Sequence, residues 1–231
     1  MGTDVSRSHD RTEGDQAEKV TWSHVLRFLM FALLLPALLF ATAGTLKWAM
    51  GWAYTLITLA AVVGSRLFIM RRYPELVRER ATYAEHGDAK SWDKAIVPIV
   101  GRGGPLATLV VAGLDRRFGW TPAIPLGLQL AALLIVILGS ALATWAMASN
   151  QFFSAVVRIQ KERGHRVVDT GPYRLVRHPG YAGGVLGNLA IPPALGSMWA
   201  LIPGALTAFI TVVRTVLEDR TLQAELDGYK D

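Results

Sequence analysis

The chain has 231 residues, a formal net charge of +6 and no cysteine. With Gly counted among the apolar residues and Tyr left out, the apolar share is about 59%, against roughly 45–50% in soluble domains. Charged residues reach only 18% and mean hydropathy is +0.31, which excludes disorder or collagen-like repetition for the bulk of the sequence and points to a membrane protein; the missing cysteines exclude disulfide scaffolds, thiolate metal sites, cysteine nucleophiles and prenylation at a terminal cysteine.

Residues 1–23 are polar and mixed in sign, with Asp4, Arg7, Asp10, Arg11, Glu13, Asp15, Glu18 and Lys19. They read as a disordered leader, not a secretion signal, because the apolar run begins late and is long enough to span. Phe28 to Leu46 carries no charge, and about 20 apolar residues at 1.5 Å each cover the hydrocarbon layer; Pro36 favours a kink in this first span. The second, Trp48 to Ser65, follows a short turn at Gly44 and is closed by Arg66, Arg71 and Arg72. Arg71 to Lys94 is strongly charged and reads as a cytoplasmic loop with one helical turn around Pro74 to Arg80. A third apolar segment, Ala95 to Leu114, is interrupted by GRGGP at Gly101 to Pro105, and Arg102 in mid-span is costly unless it faces protein or water. Thr121 to Val157 is uncharged over roughly 55 Å of helix, more than a bilayer needs, so its end is expected to project into water. Pro179 to Val213 is again too long for one pass, and Pro192, Pro193, Gly196 and Ser197 at its middle predict a helical hairpin.

Lys and Arg are dense after Met70, Gln151 and Val213 and sparse near Gly44 and Gly196, which predicts six spans with both termini cytoplasmic. Arg116 and Arg117 then fall on the outer side, a conflict that a re-entrant third segment removes. The expected fold is all-α, a polytopic transmembrane helical bundle with a C-terminal helical hairpin, divided into the leader 1–23, N-terminal helices 24–149 with the loop 71–94, and a core 150–231.

The densest polar stretch, Lys161 to Gly184, holds His165, Tyr173, Arg174, Arg177, His178 and Tyr181 among prolines and glycines. Beside a membrane, such a stretch folds into a loop that offers cations and backbone N–H groups to an anionic ligand group. If the hairpin's ends return to one side, Glu218 and Asp219 come back beside Arg177 and His178, giving a pocket with cations on one wall and carboxylates on the other, suited to a zwitterion. Arg158, Lys161 and Arg163 read as positive-inside anchors, and Tyr181 is equally compatible with an interfacial aromatic belt. The five histidines form no i,i+3 or i,i+4 pair, so no metal is expected. There is no GxGxxG after a strand, no GxxxxGK[ST] and no GxSxG, and the basic residues alternate with apolar spans, which argues against nucleic acid.

The run H-x-V-V-x-T-G-P-Y-R-x-V-R-H-P-x-Y-x-G from His165 to Gly183, with Glu218-Asp219 about 35 residues later, resembles the isoprenylcysteine carboxyl methyltransferase family and related phospholipid methyltransferases, over roughly Gln151 to Tyr229. Trp92 to Lys94 and Ala112 to Trp120 look like a bacterial branch. The resemblance implies an integral-membrane enzyme, here of a bacterial inner membrane, with a cytosolic-face pocket for S-adenosylmethionine in the 150–231 core and a lipophilic acceptor entering from the bilayer lipids. By this resemblance His165, Gly171, Tyr173, Arg177, His178, Pro179 and Tyr181 match the cofactor-binding stretch and Glu218 the first of two acids; Asp219 replaces the usual second Glu. Family members continue beyond Gly228-Tyr229 with a further Tyr and an Arg-containing segment, where this sequence stops at Asp231. Arg177 and His178 are expected to hold the cofactor carboxylate or orient the acceptor, Glu218 to pair with its amine, and Tyr173 or Tyr181 to pack on the adenine. The rival readings are a sterol-type membrane reductase using NADPH and a non-enzymatic scaffold or transport component, for which Arg102 is the clue.

Overall fold

The computed structural model describes Met30, residues 32–73, Leu76, Arg80 and residues 89–230. The predicted leader and most of the 71–94 loop lie outside these residues; of the turn expected at Pro74 to Arg80, Leu76 and Arg80 are helical. The chain divides into two compact units, Met1–Ala37 and Leu38–Asp231. The described part of the first is Met30 and the opening turns of a helix; the second holds every element that positions the site.

Among the described residues there are helices and no strands. We label the main helices α1 (Ala32–Ala43), α2 (Ala49–Arg72), α3 (Ser91–Phe118), α4 (Leu126–Ser149), α5 (Pro179–Ala194) and α6 (Leu201–Glu225). Helices α2, α3, α4 and α6 are long and apolar enough to cross a bilayer. The described part of α1 and the sixteen residues of α5 fall short of the roughly 20 that a crossing needs. Each of the six predicted spans thus contains a helix, and among the described residues four of these are of spanning length.

Three boundaries depart from the expected ones. Arg66 does not close α2, which runs on to a last turn containing Arg71 and Arg72, where cations favour the negative end of the helix dipole. The GRGGP run does not break α3. It is absorbed by a π turn at Ile99–Gly103, in which Gly104 N–H reaches back to Ile99 O. Pro105 has no amide hydrogen to give, and widening the turn relieves its ring against the preceding carbonyls. Helix α3 is thus continuous, not re-entrant, and Arg102 lies exposed on the π turn. Finally, α4 does not extend to Val157. The chain leaves the helix at Asn150, in extended conformation (φ −129°, ψ 105°), and the Asn150 side chain accepts the Phe152 N–H at 2.8 Å. Beyond that break Phe152, Val156 and Val157 are buried, because this segment fills the space between α3 and α6.

The hairpin forms as expected. Helices α5 and α6 are joined by a turn in which Gly196 takes φ +73°, a left-handed conformation open to glycine at little cost. Helix α4 packs most closely on α5: a Cβ on Gly183 would stand 2.3 Å from the Gly139 carbonyl oxygen and one on Gly139 2.7 Å from the Gly183 carbonyl oxygen, so both positions need glycine. Helix α6 runs antiparallel to α3, with Glu225 against Lys90 (2.6 Å) and Thr207 against Gly104. At the turn end, buried Asp115 accepts from Thr121 N (2.7 Å), Thr121 Oγ1 and Ser197 Oγ, tying the α3–α4 link to the hairpin turn. The opposite end gathers residues 150–178 and the C-terminal segment 226–230, and there α6 carries Arg214, Glu218 and Asp219 past the apolar part of the helix.

Candidate active site

The 150–178 segment keeps its shape through polar contacts with its own backbone. Gln160 is fully buried; its amide donates to Phe152 O at 2.8 Å and its carbonyl oxygen accepts from Arg163. Arg163 also donates to Gln151 O at 3.0 Å. His165 stacks on Phe152 with ring centroids 4.7 Å apart, and its Nδ1 accepts Gln160 N–H at 3.3 Å. Burial, then the neighbouring Arg158 and Arg163, hold the His165 pKa below its usual value. Of the residues read as anchors, Lys161 is exposed, whereas Arg158 is buried and pairs with Glu162 at 2.9 Å.

This segment, α3, the hairpin and the C-terminal segment enclose a cavity of about 490 Å³, within the range of small-molecule sites. Its polar wall includes His165, Tyr173, Arg177, His178, Tyr181 and Glu218. Of the expected site residues, Gly171, Pro179 and Asp219 do not line it. Gly171 has φ +60°, and a Cβ there would stand 2.3 Å from Ser149 Oγ, so its glycine seats the loop against the end of α4. Pro179 opens α5, where a missing amide hydrogen costs nothing.

Asp219, behind the wall, holds residues that line it. His178 Nε2 lies 3.1 Å from its Oδ1, the Tyr229 hydroxyl donates to the same oxygen at 3.1 Å, and Gln223 Nε2 donates to Oδ2 at 2.6 Å. Arg177 Nη1 is 3.7 Å from Asp219 and its guanidinium lies over the Tyr229 ring at 5.5 Å. Burial, then the Asp219 carboxylate, push the Tyr229 pKa up. Glu218 faces the cavity and accepts from the Tyr181 hydroxyl. Tyr173 accepts from Asn150 Nδ2 at 3.3 Å, and burial pushes its pKa up to about 12. The acidic pair and the Arg–His turn thus meet as expected, but Asp219 touches Arg177 and His178 directly instead of facing them across the cavity.

Several residues of this site escape the sequence reading. Arg214 lines the cavity and forms a forked pair with Asp93, which is fully buried at the start of α3. Arg80 donates to Phe153 O and Ser154 O, each at 3.2 Å. A lone cation directly after the apolar run ending at Val213 was the available signal for Arg214; Asp93 lies in the Trp92 to Lys94 run, marked there only by its resemblance to a bacterial branch and not as part of the site, and Arg80 sits in charged sequence and gave no signal.

A helical membrane protein with a small-molecule cavity walled by cations, a carboxylate and tyrosines at one end of its bundle is the class these features define. Residues 131–224, from α4 to the last turn of α6, match the model of the isoprenylcysteine carboxyl methyltransferase (ICMT) family, so the family resemblance carried by the His165–Gly183 run holds for this segment, less than half of the chain. No curated protein matches the chain. The family is one of membrane methyltransferases, and the cavity lies largely within the matched residues.

Proposed function

We propose that the protein is an integral-membrane methyltransferase that takes its methyl group from S-adenosylmethionine and delivers it to a lipophilic acceptor at the cytosolic face. The observation that carries this reading is the cavity wall itself, where Glu218 stands among Arg177, Arg214 and His178. A zwitterionic amino-acid moiety has one group for each charge there. Glu218 is suited to the ammonium group, Arg177 and His178 to the carboxylate. Tyr173 is the better partner for the adenine, because Arg214 already covers the Tyr181 ring at 5.2 Å. Asp219 serves indirectly, by fixing His178 and Tyr229. His165 shapes the loop through Gln160 and Phe152.

When bound, S-adenosylmethionine supplies an electrophilic methyl whose departure leaves a neutral thioether. Little acid–base work remains for the protein, which has to align the reactants and exclude water. Val97, Val100 and Gly101 of α3 give the cavity an apolar side that suits a lipophilic acceptor.

The test is ligand-dependent thermal stability of protein purified in detergent. S-adenosylmethionine should raise the melting point and NADPH should not, since only a ligand of the folded state stabilises it. Stabilisation by NADPH alone, or by neither, overturns the reading. Labelled S-adenosylmethionine equilibrated with a native lipid extract then identifies the acceptor by what gains the label.

A further inference from the structure

We infer that Asp93 is a positioning residue of this site: from outside the family-matched segment, it sets the Arg214 guanidinium on the cavity wall and, through it, Tyr181 and Glu218. The inference rests on the methyltransferase reading and adds to it a residue that touches neither cofactor nor acceptor.

Asp93 occupies the first turn of α3 and is 0% exposed. Its Oδ1 accepts from Arg214 Nε at 2.6 Å and its Oδ2 from Arg214 Nη2 at 3.0 Å, the bidentate fork that fixes the plane of a guanidinium as well as its place. Oδ2 also accepts the Val157 N–H at 2.7 Å, and Arg214 Nη2 donates onward to Ala155 O at 2.9 Å. One carboxylate thereby joins α3, the 155–157 segment and α6, three of the walls around the cavity. Arg214 faces that cavity and Asp93 stands behind it.

The set orientation is passed on. The Arg214 guanidinium carbon lies 5.2 Å over the Tyr181 ring, and the Tyr181 hydroxyl donates to Glu218, four residues beyond Arg214 and so on the same face of α6. A buried ion pair stabilises a fold little better than apolar side chains of the same volume. Its presence beside the cavity is better accounted for by the orientation it imposes on a charged wall.

The test compares S-adenosylmethionine affinity and melting point for Asp93→Asn, Arg214→Lys and the double variant D93N/R214Q, each in detergent and well below its own melting temperature. Asp93→Asn strands a buried cation, so its melting point should fall, and where it is folded its Kd should rise at least tenfold. Arg214→Lys keeps the charge but loses the fork, and its Kd should rise severalfold. The double variant replaces the ion pair by two neutral amides; its melting point should recover towards wild type while its Kd stays at least tenfold raised. Recovery of both together, or wild-type affinity in folded Asp93→Asn, would show a purely structural pair and overturn the inference. A wild-type protein that binds no S-adenosylmethionine is a separate outcome: it overturns the methyltransferase reading and this inference with it.

Discussion

Glu218→Gln isolates a single charge. One carboxylate oxygen already accepts from the Tyr181 hydroxyl, and the glutamine carbonyl can accept the same bond, so the local packing with Tyr181 is retained. What the substitution removes is the negative charge offered to a ligand ammonium group. A hydrogen bond to a charged partner contributes about 1.5–3 kcal/mol, and each 1.4 kcal/mol is tenfold in affinity. The Kd for S-adenosylmethionine should therefore rise about 10- to 150-fold, with a melting point of the ligand-free protein close to wild type. Isothermal calorimetry in detergent measures the first and a thermal scan without ligand the second. Wild-type affinity in folded Glu218→Gln would refute the assignment of Glu218 to the ammonium group.

Gly171→Ala should destabilise the protein by ~1–3 kcal/mol, the order of cost for an L side chain held at positive φ, with the Ser149 contact adding to it; a melting point lowered by several degrees checks this. At Gly101 a Cβ meets nothing within 4 Å although the residue lines the cavity, so Gly101→Leu should fold, bind S-adenosylmethionine normally and transfer methyl groups poorly to bulky acceptors. Loss of cofactor affinity in that variant would place the α3 wall on the wrong side of the site. His165 has a folded-state pKa held below the unfolded value of about 6.5. Its contribution to stability is therefore complete above pH 6.5 and is lost as pH falls from there through the folded value, where the unfolded chain takes up the proton first. Melting curves from pH 7.5 to 5 should show this decline in wild type and a shallower one in His165→Gln.

The hairpin was legible because two prolines, a glycine and a serine interrupt an apolar run too long for one pass, a pattern with few other solutions in a bilayer. The loop chemistry was legible from its composition alone. The helix ends were not. Hydropathy registers what is apolar, and the segment from Gln151 to Val157 is apolar because it is buried against protein, not because it continues a span; only the Asn150 break distinguishes the two. Likewise GRGGP has the composition of a turn, and nothing local reveals that a π turn carries α3 through it. Asp93 eluded the reading because its partner lies 121 residues away, a separation that no periodicity reports.

The acidic pair shows how far helix geometry alone could have gone. Adjacent residues of an α-helix point about 100° apart, so Glu218 and Asp219 cannot both face one narrow cavity from α6. If Glu218 lines the cavity, Asp219 must address whatever packs beside it, and that is the start of α5 with His178 and the returning Tyr229. The shorter side chain at 219 is therefore suited to its position, where it reaches a neighbouring ring nitrogen. The consecutive acids divide the work, one carboxylate presented to the cavity and the other spent on holding the histidine in place.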